Sequence, residues 1–175
     1  MTSTNTVATR SFLGHRRRMA RSLDAGDKLP SFSLPDQSGA VVKLDDVLGK
    51  GPLVFFFYPA DETPICTREA CSFRDANTEL AAAGARVFGV SGDSVASHAS
   101  FAKNHRLPYS LLADVGDKVR DDVFGVPRGL FGLRTGRVTY VVDSGGVIRH
   151  RHHAQLESQG HVDEAMAVVK RLANA

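Results

Sequence analysis

Tryptophan is absent from this chain, and only two cysteines, Cys66 and Cys71, occur among its 175 residues. Two are too few for the disulfide frame of a small secreted domain, so their closeness points to chemistry rather than to stapling. No apolar run approaches the roughly 18 residues that a membrane-spanning helix needs, and no membrane span is expected. Acidic residues are missing from the start of the chain: residues 1–23 hold Arg10, Arg16, Arg17, Arg18 and Arg21 but no Asp or Glu. Taking those five positive charges from the net +3 of the whole leaves −2 for the remainder. A nearly neutral body excludes nucleic-acid binding as the expected function. The basic stretch has no apolar h-region, so it is not a secretory signal. Its Ser, Thr and Arg content fits either an organelle transit-like segment or a basic disordered tail. The expected division is a tail over 1–25 and one domain over 26–175, long enough to bury a core.

From Leu29 the pattern becomes that of a compact α/β domain. Residues 30–44 read as a β-hairpin turning at Asp36–Gly39. Leu53–Tyr58 is a continuous apolar run bounded by Pro52 and Pro59, as in a buried central strand. A helix is expected from Cys66 to about Ala83, ending at Gly84, followed by a buried strand over Arg86–Val90. Ser94–His105 predicts a helix, Tyr109–Leu112 a strand and Asp117–Phe124 a short helix. Arg137–Val142 and Val147–His152 predict two strands joined by a tight turn at Asp143–Gly146. An amphipathic helix over His161–Leu172 closes the chain. This order implies a central mixed β-sheet with helices on both faces and an N-terminal β-hairpin. A redox cysteine after the central strand suggests the thioredoxin-like fold.

Cys66 falls at the strand-to-helix junction, where free backbone N–H groups and the helix dipole favour a thiolate. Cys71, five residues on, is placed to trap what that thiolate becomes. Two cysteines five apart on an ideal helix have Cα atoms about 8.7 Å apart and point about 140° away from each other. A disulfide needs about 7 Å or less, so the first turns of the helix must unwind for the two to join. Thr63, just before Pro64, is a helix N-cap signal and also offers a hydroxyl near the sulfur.

The segment Pro59-x-x-x-Thr63-x-x-Cys66 with Cys71 resembles the active-site motif of the peroxiredoxins, in the Q-type, bacterioferritin-comigratory-protein-like subclass. The likeness continues through Ser91-Gly-Asp93 with Ser97-His98, Leu107-Pro108-Tyr109, Val123–Pro127 and Gly136–Tyr140, over roughly residues 26–172. Several of these stretches look closest to photosynthetic-lineage members. The resemblance implies a thiol peroxidase for hydrogen peroxide and alkyl hydroperoxides. Cys66 would be the peroxidatic nucleophile and Cys71 the resolving thiol. Arg137 would favour the thiolate and steady charge on the O–O unit. Thr63 would touch the peroxide, and Pro59 would shield the pocket from water. It further implies recycling by thioredoxin or a similar dithiol protein, a monomer, and no metal or other cofactor, because sulfur carries both electrons. A reducing compartment is expected, a bacterial cytoplasm or a plastid. One departure is Ile65, where the subclass usually has glycine. A β-branched residue there is expected to narrow peroxide access or slow the conformational step.

Other clusters point less clearly to chemistry. His150, His152, His153 and His161 hint at a metal, but His150 and His152 alternate with Arg149 and Arg151, and a solvated strand end is the expected reading. Gly125, Gly129 and Gly132 read as loop glycines without a phosphate site, and Asp61 and Glu62 as loop-lining acids. Two further functions compete with the peroxidase. A general thiol–disulfide oxidoreductase favours Cys-x-x-Cys and has no need of Thr63 or Arg137. A redox sensor or chaperone-like protein would use the same disulfide as a switch.

Overall fold

The structure is a computed structural model that describes residues 21–127 and 136–175. Its centre is a five-stranded mixed sheet in the order β5-β4-β3-β6-β7. Strand β3 (Leu53–Phe57) is buried at every position, which explains why its sequence is apolar throughout rather than alternating. Parallel to it runs β4 (Arg86–Ser91), and parallel to that β5 (Ser110–Ala113). On the other side β6 (Val138–Val142) lies antiparallel to β3, and β7 (Ile148–His153) antiparallel to β6. The expected hairpin forms a separate pair, β1 (Ser33–Pro35) with β2 (Val41–Lys43).

Alternation along the strands divides the core in two. Val54, Phe56 and Tyr58 of the β3 segment face a layer built by α2 (Pro64–Ala82), α3 (Val95–His105) and α4 (Gln159–Ala173). Ala70, Phe73 and Leu80 of α2 pack there beside Cys66, with the rings of Phe56 and Phe73 stacked at 4.5 Å. Leu53, Phe55 and Phe57 face the opposite layer, which includes Leu34 of the hairpin, Leu44 and Val47 of α1 (Leu44–Val47), and Val119 and Phe124 of a π-helical turn (Val119–Phe124). Helices therefore cover both faces, as expected, though the three long ones share one side.

Two differences from the sequence reading bear on the site and the core. Helix α2 starts at Pro64, two residues before Cys66, because Thr63 is still extended and proline suits the first helical position. Leu23, on the tail side of the division at 25, is buried in the core, and its N–H donates to the Phe124 carbonyl at 2.9 Å. Packing thus begins at or before Leu23. The tail reading of residues 1–20 and the loop reading of Gly129 and Gly132 lie outside the described residues. Among the described residues, no helix is long and apolar enough to cross a membrane.

Candidate active site

The site begins where β3 ends. Tyr58 still donates its N–H to the Val90 carbonyl at 3.1 Å; Pro59 has no N–H to continue the ladder, and the chain leaves the sheet. Residues 60–63 form a loop that is tied down from outside. Tyr58 and Ser97 hydroxyls donate to the Asp61 carboxylate, each at 2.7 Å, and His98 Nδ1 lies 2.9 Å from it. The Asp61 N–H donates to Asp93, which also accepts from the Ser91 hydroxyl. Burial pulls the Asp61 carboxyl up, but the hydrogen bonds from His98, Ser97 and Tyr58 prevail and hold it below the usual carboxylate range. Glu62 takes a left-handed backbone, φ 58°, and its carboxylate reaches Asn104 and His105 of α3. The Ser91, Asp93, Ser97 and His98 stretch, noted in the sequence for its family likeness, is thus the clamp on the loop before Cys66.

Helix α2 carries both cysteines. The first bond of its ladder runs from the Thr67 N–H to the Thr63 carbonyl at 2.8 Å, so the N–H groups of Ile65 and Cys66 precede the ladder. Thr63 holds the N-cap position, but its side chain makes no cap bond and donates instead to the Ala60 carbonyl at 3.0 Å. Ile65 is half-buried inside the first turn and has no positive φ, so the backbone there does not require glycine. Cys66 is 2% exposed. Cys71 is half-buried on another side of the helix, with Arg74 Nη1 at 3.6 Å from its sulfur. Both thiols are free, and the helix between them is continuous. The Tyr109 hydroxyl donates to the Ala70 carbonyl at 2.6 Å, pinning the segment from the next layer.

Arg137 comes from a distant part of the sequence. Because Val138 of β6 pairs with Phe57 of β3, the residue before it arrives level with Tyr58, beside the cysteine loop. The guanidinium is 2% exposed and donates from Nη2 to Cys66 Sγ at 3.2 Å. Its Nη1 binds the carboxyl group of Glu69, which is wholly buried. Burial is the larger influence on Glu69 and raises its pKa to about 8, against the opposite pull of Arg137. The second Glu69 oxygen lies 3.5 Å from His161 Nδ1 and has no hydrogen-bond partner. His161 Nε2 faces the Ala154 carbonyl at 2.9 Å, which leaves Nδ1 to accept from the Thr139 hydroxyl at 2.8 Å. That neutral form agrees with burial, which lowers the His161 pKa to about 4.

The structure therefore brings Cys66 and Arg137 into contact, with Thr63 and Pro59 on the loop just before them. Cys71 stays apart on the intact helix. Sequence reasoning missed Glu69 and read His161 only as part of a histidine-rich strand end. A signal for Glu69 was available, since it stands three residues after Cys66 on the same helix and so shares its face.

A family model described as AhpC/TSA matches residues 25–151. The chain belongs to this family. Within it, the relatives are Q-type peroxiredoxins. The chloroplastic peroxiredoxin Q of Triticum aestivum is 45% identical over 163 residues, spanning 90% of this chain and 74% of the relative. That of Arabidopsis thaliana is 48% identical over 148 residues, 85% of this chain and 68% of the relative. Among solved structures, peroxidoxin BcpB from Mycobacterium tuberculosis superposes with a TM-score of 0.80 at 39% identity, covering 86% of this chain and 98% of that one. Xanthomonas campestris peroxiredoxin Q gives 0.76 at 31% identity, with 86% and 99% covered. This chain is thus a Q-type peroxiredoxin with the thioredoxin-like fold read from its sequence.

Proposed function

We propose that this peroxiredoxin, a thiol-dependent peroxidase, uses Cys66 as the attacking sulfur and Cys71 as the resolving one. The observation that carries the proposal is the 3.2 Å approach of Arg137 Nη2 to Cys66 Sγ in a buried pocket. A guanidinium and the start of a helix both favour negative charge on that sulfur. The thiolate attacks one oxygen of hydrogen peroxide or an alkyl hydroperoxide. An S–O bond forms, the O–O bond breaks, and the other oxygen leaves as hydroxide or alkoxide. Arg137 has further donors to offer the charge spreading over the two oxygens, and Pro59 helps to keep bulk water away. The Thr63 hydroxyl, whose hydrogen is given to Ala60, offers its lone pairs to the peroxide proton.

The resulting sulfenic acid condenses with the Cys71 thiol, releasing water and forming a disulfide. An intact α2 keeps the two sulfurs apart, so its first turns unwind in each cycle and expose the disulfide to thioredoxin or a similar dithiol protein. The molecule acts as a monomer: among the described residues the large exposed apolar side chains are Val41, Val115 and Leu156, from three separate segments. Free thiols at work suit a reducing compartment, such as the plastid of the chloroplastic relatives or a bacterial cytoplasm.

The test is peroxide consumption coupled to thioredoxin, thioredoxin reductase and NADPH, with wild type, Cys66→Ser and Cys71→Ser. Loss of turnover in both variants is the expected result. Full turnover without Cys71 would reduce the cycle to one cysteine. No turnover in wild type would favour a redox sensor.

A further inference from the structure

The face of β7 that meets α4 holds a group of side chains that peroxide chemistry does not use. His150 Nε2 lies 2.6 Å and His152 Nδ1 3.0 Å from the same oxygen of Glu164, Oε2, on α4. All three ligand atoms lie within 4.8 Å of one another. The His152 Nε2 atom is buried and has no hydrogen-bond partner, while the Glu157 carboxylate stands 3.8 Å from it.

We propose that His150, His152 and Glu164 form a binding site for a divalent transition-metal ion of the zinc type. Two imidazole nitrogens and one carboxylate oxygen are a donor set that Zn2+ accepts, with water in the fourth position. Ligand atoms around a tetrahedral zinc at about 2.0–2.2 Å stand some 3.3–3.5 Å apart, so small side-chain rotations open the present cluster to the ion. Binding His152 through Nδ1 fixes its remaining proton on Nε2. That N–H then points to Glu157, the kind of outer carboxylate that commonly orients a metal-bound histidine.

Arg149 and Arg151 do not oppose a cation here, contrary to the expectation from sequence. Arg149 is paired with Asp143 at 2.6 Å. The pairing of β7 with β6 shifts between Val141 and Val142, leaving Arg149 as the extra residue of a bulge. Ile148 and Arg151 are thereby registered with Val142 and Tyr140, whose side chains belong to the far layer, while His150 and His152 are registered with Val141 and Thr139 on the α4 side. Since the ligands come from both β7 and α4, the bound ion ties the last helix to the edge strand of the sheet.

The experiment is calorimetric titration of ZnCl2 at pH 7.5 into the untagged full chain carrying Cys66→Ser and Cys71→Ser, so that no thiol competes for the metal. One ion per chain is expected, weakened more than tenfold by His150→Gln and by Glu164→Gln. Both positions are partly exposed, and circular dichroism verifies that the variants fold. At a hundredfold excess over Kd, Zn2+ should raise the thermal midpoint of the parent by about 5 °C or more and that of the variants far less. Absence of binding, parental affinity retained in either variant, or equal affinity for Mg2+ would each overturn the assignment.

Discussion

Arg137 donates to the Cys66 sulfur across 3.2 Å, with each of the two residues only 2% exposed. The other arm of the same guanidinium is held by Glu69. One planar fork is thus shared between the Glu69 carboxyl group and the Cys66 sulfur, and lysine has no equivalent geometry.

Arg137→Lys should accordingly lose activity although it keeps the charge. A second-order rate constant with hydrogen peroxide, measured by stopped flow, is expected to fall about a hundredfold, the scale of removing one transition-state donor. A lysine variant that reacts as fast as wild type would remove Arg137 from the chemistry.

Glu69 has a pH signature. Its carboxyl stays protonated up to about 8 in the folded chain, while an unfolded glutamate titrates near its ordinary value of about 4.3. Its contribution to stability is therefore complete below the unfolded value and is lost as pH rises toward 8. Glu69→Gln cannot titrate. The thermal midpoint of the variant minus that of wild type should become steadily less negative between pH 5 and pH 8. A constant difference over that range would mean that Glu69 remains ionised throughout.

Tyr109 restrains the segment that the proposed cycle unwinds. Its hydroxyl donates to the Ala70 carbonyl at 2.6 Å, between the two cysteines, and burial raises its pKa so that it stays a donor. Tyr109→Phe removes about 1 kcal/mol of that restraint, which corresponds to about fivefold in an equilibrium. Disulfide formation after peroxide addition should quicken by a similar factor while the attack itself is unchanged. Equal quench-flow time courses for the two proteins would show that opening does not involve this bond.

Gly136 positions the arginine that follows it. Its N–H donates to the Pro127 carbonyl at 2.9 Å, and a Cβ built there would meet the same oxygen at 2.4 Å. Gly136→Ala should cost about 1–3 kcal/mol of stability by overpacking. It should also slow peroxide attack at least tenfold by shifting Arg137. A stable variant with normal kinetics would show that this corner relaxes freely.

What was legible in the sequence follows from the length of each signal. The apolar run at β3, the Asp143–Gly146 turn and the strand-to-helix position of Cys66 are local patterns, and the structure repeats them within one or two residues. Helix α1 spans only Leu44–Val47, too short to leave a period, and it went unseen. Nothing in the sequence marked Glu69 as buried, and His161 read as part of a histidine-rich strand end, because their partners Arg137 and Thr139 lie far along the chain. Asp61 read as a loop acid for the same reason: its anchors Ser97 and His98 arrive from α3. The bulge at Arg149, which turns Ile148 to the layer opposite His150, leaves no mark in an alternating Arg–His pattern.

The central claim is that Cys66 and Cys71 close an intramolecular disulfide through a sulfenic acid. Its most direct test is mass spectrometry of the reduced protein treated with one equivalent of hydrogen peroxide and quenched with a thiol-blocking reagent. Wild type should appear as a monomer lacking the two thiol hydrogens, with peptides 66 and 71 linked, and Cys71→Ser should carry one added oxygen on Cys66. A disulfide between two chains, or a Cys71 that still takes the blocking reagent after Cys66 is oxidised, would contradict the account.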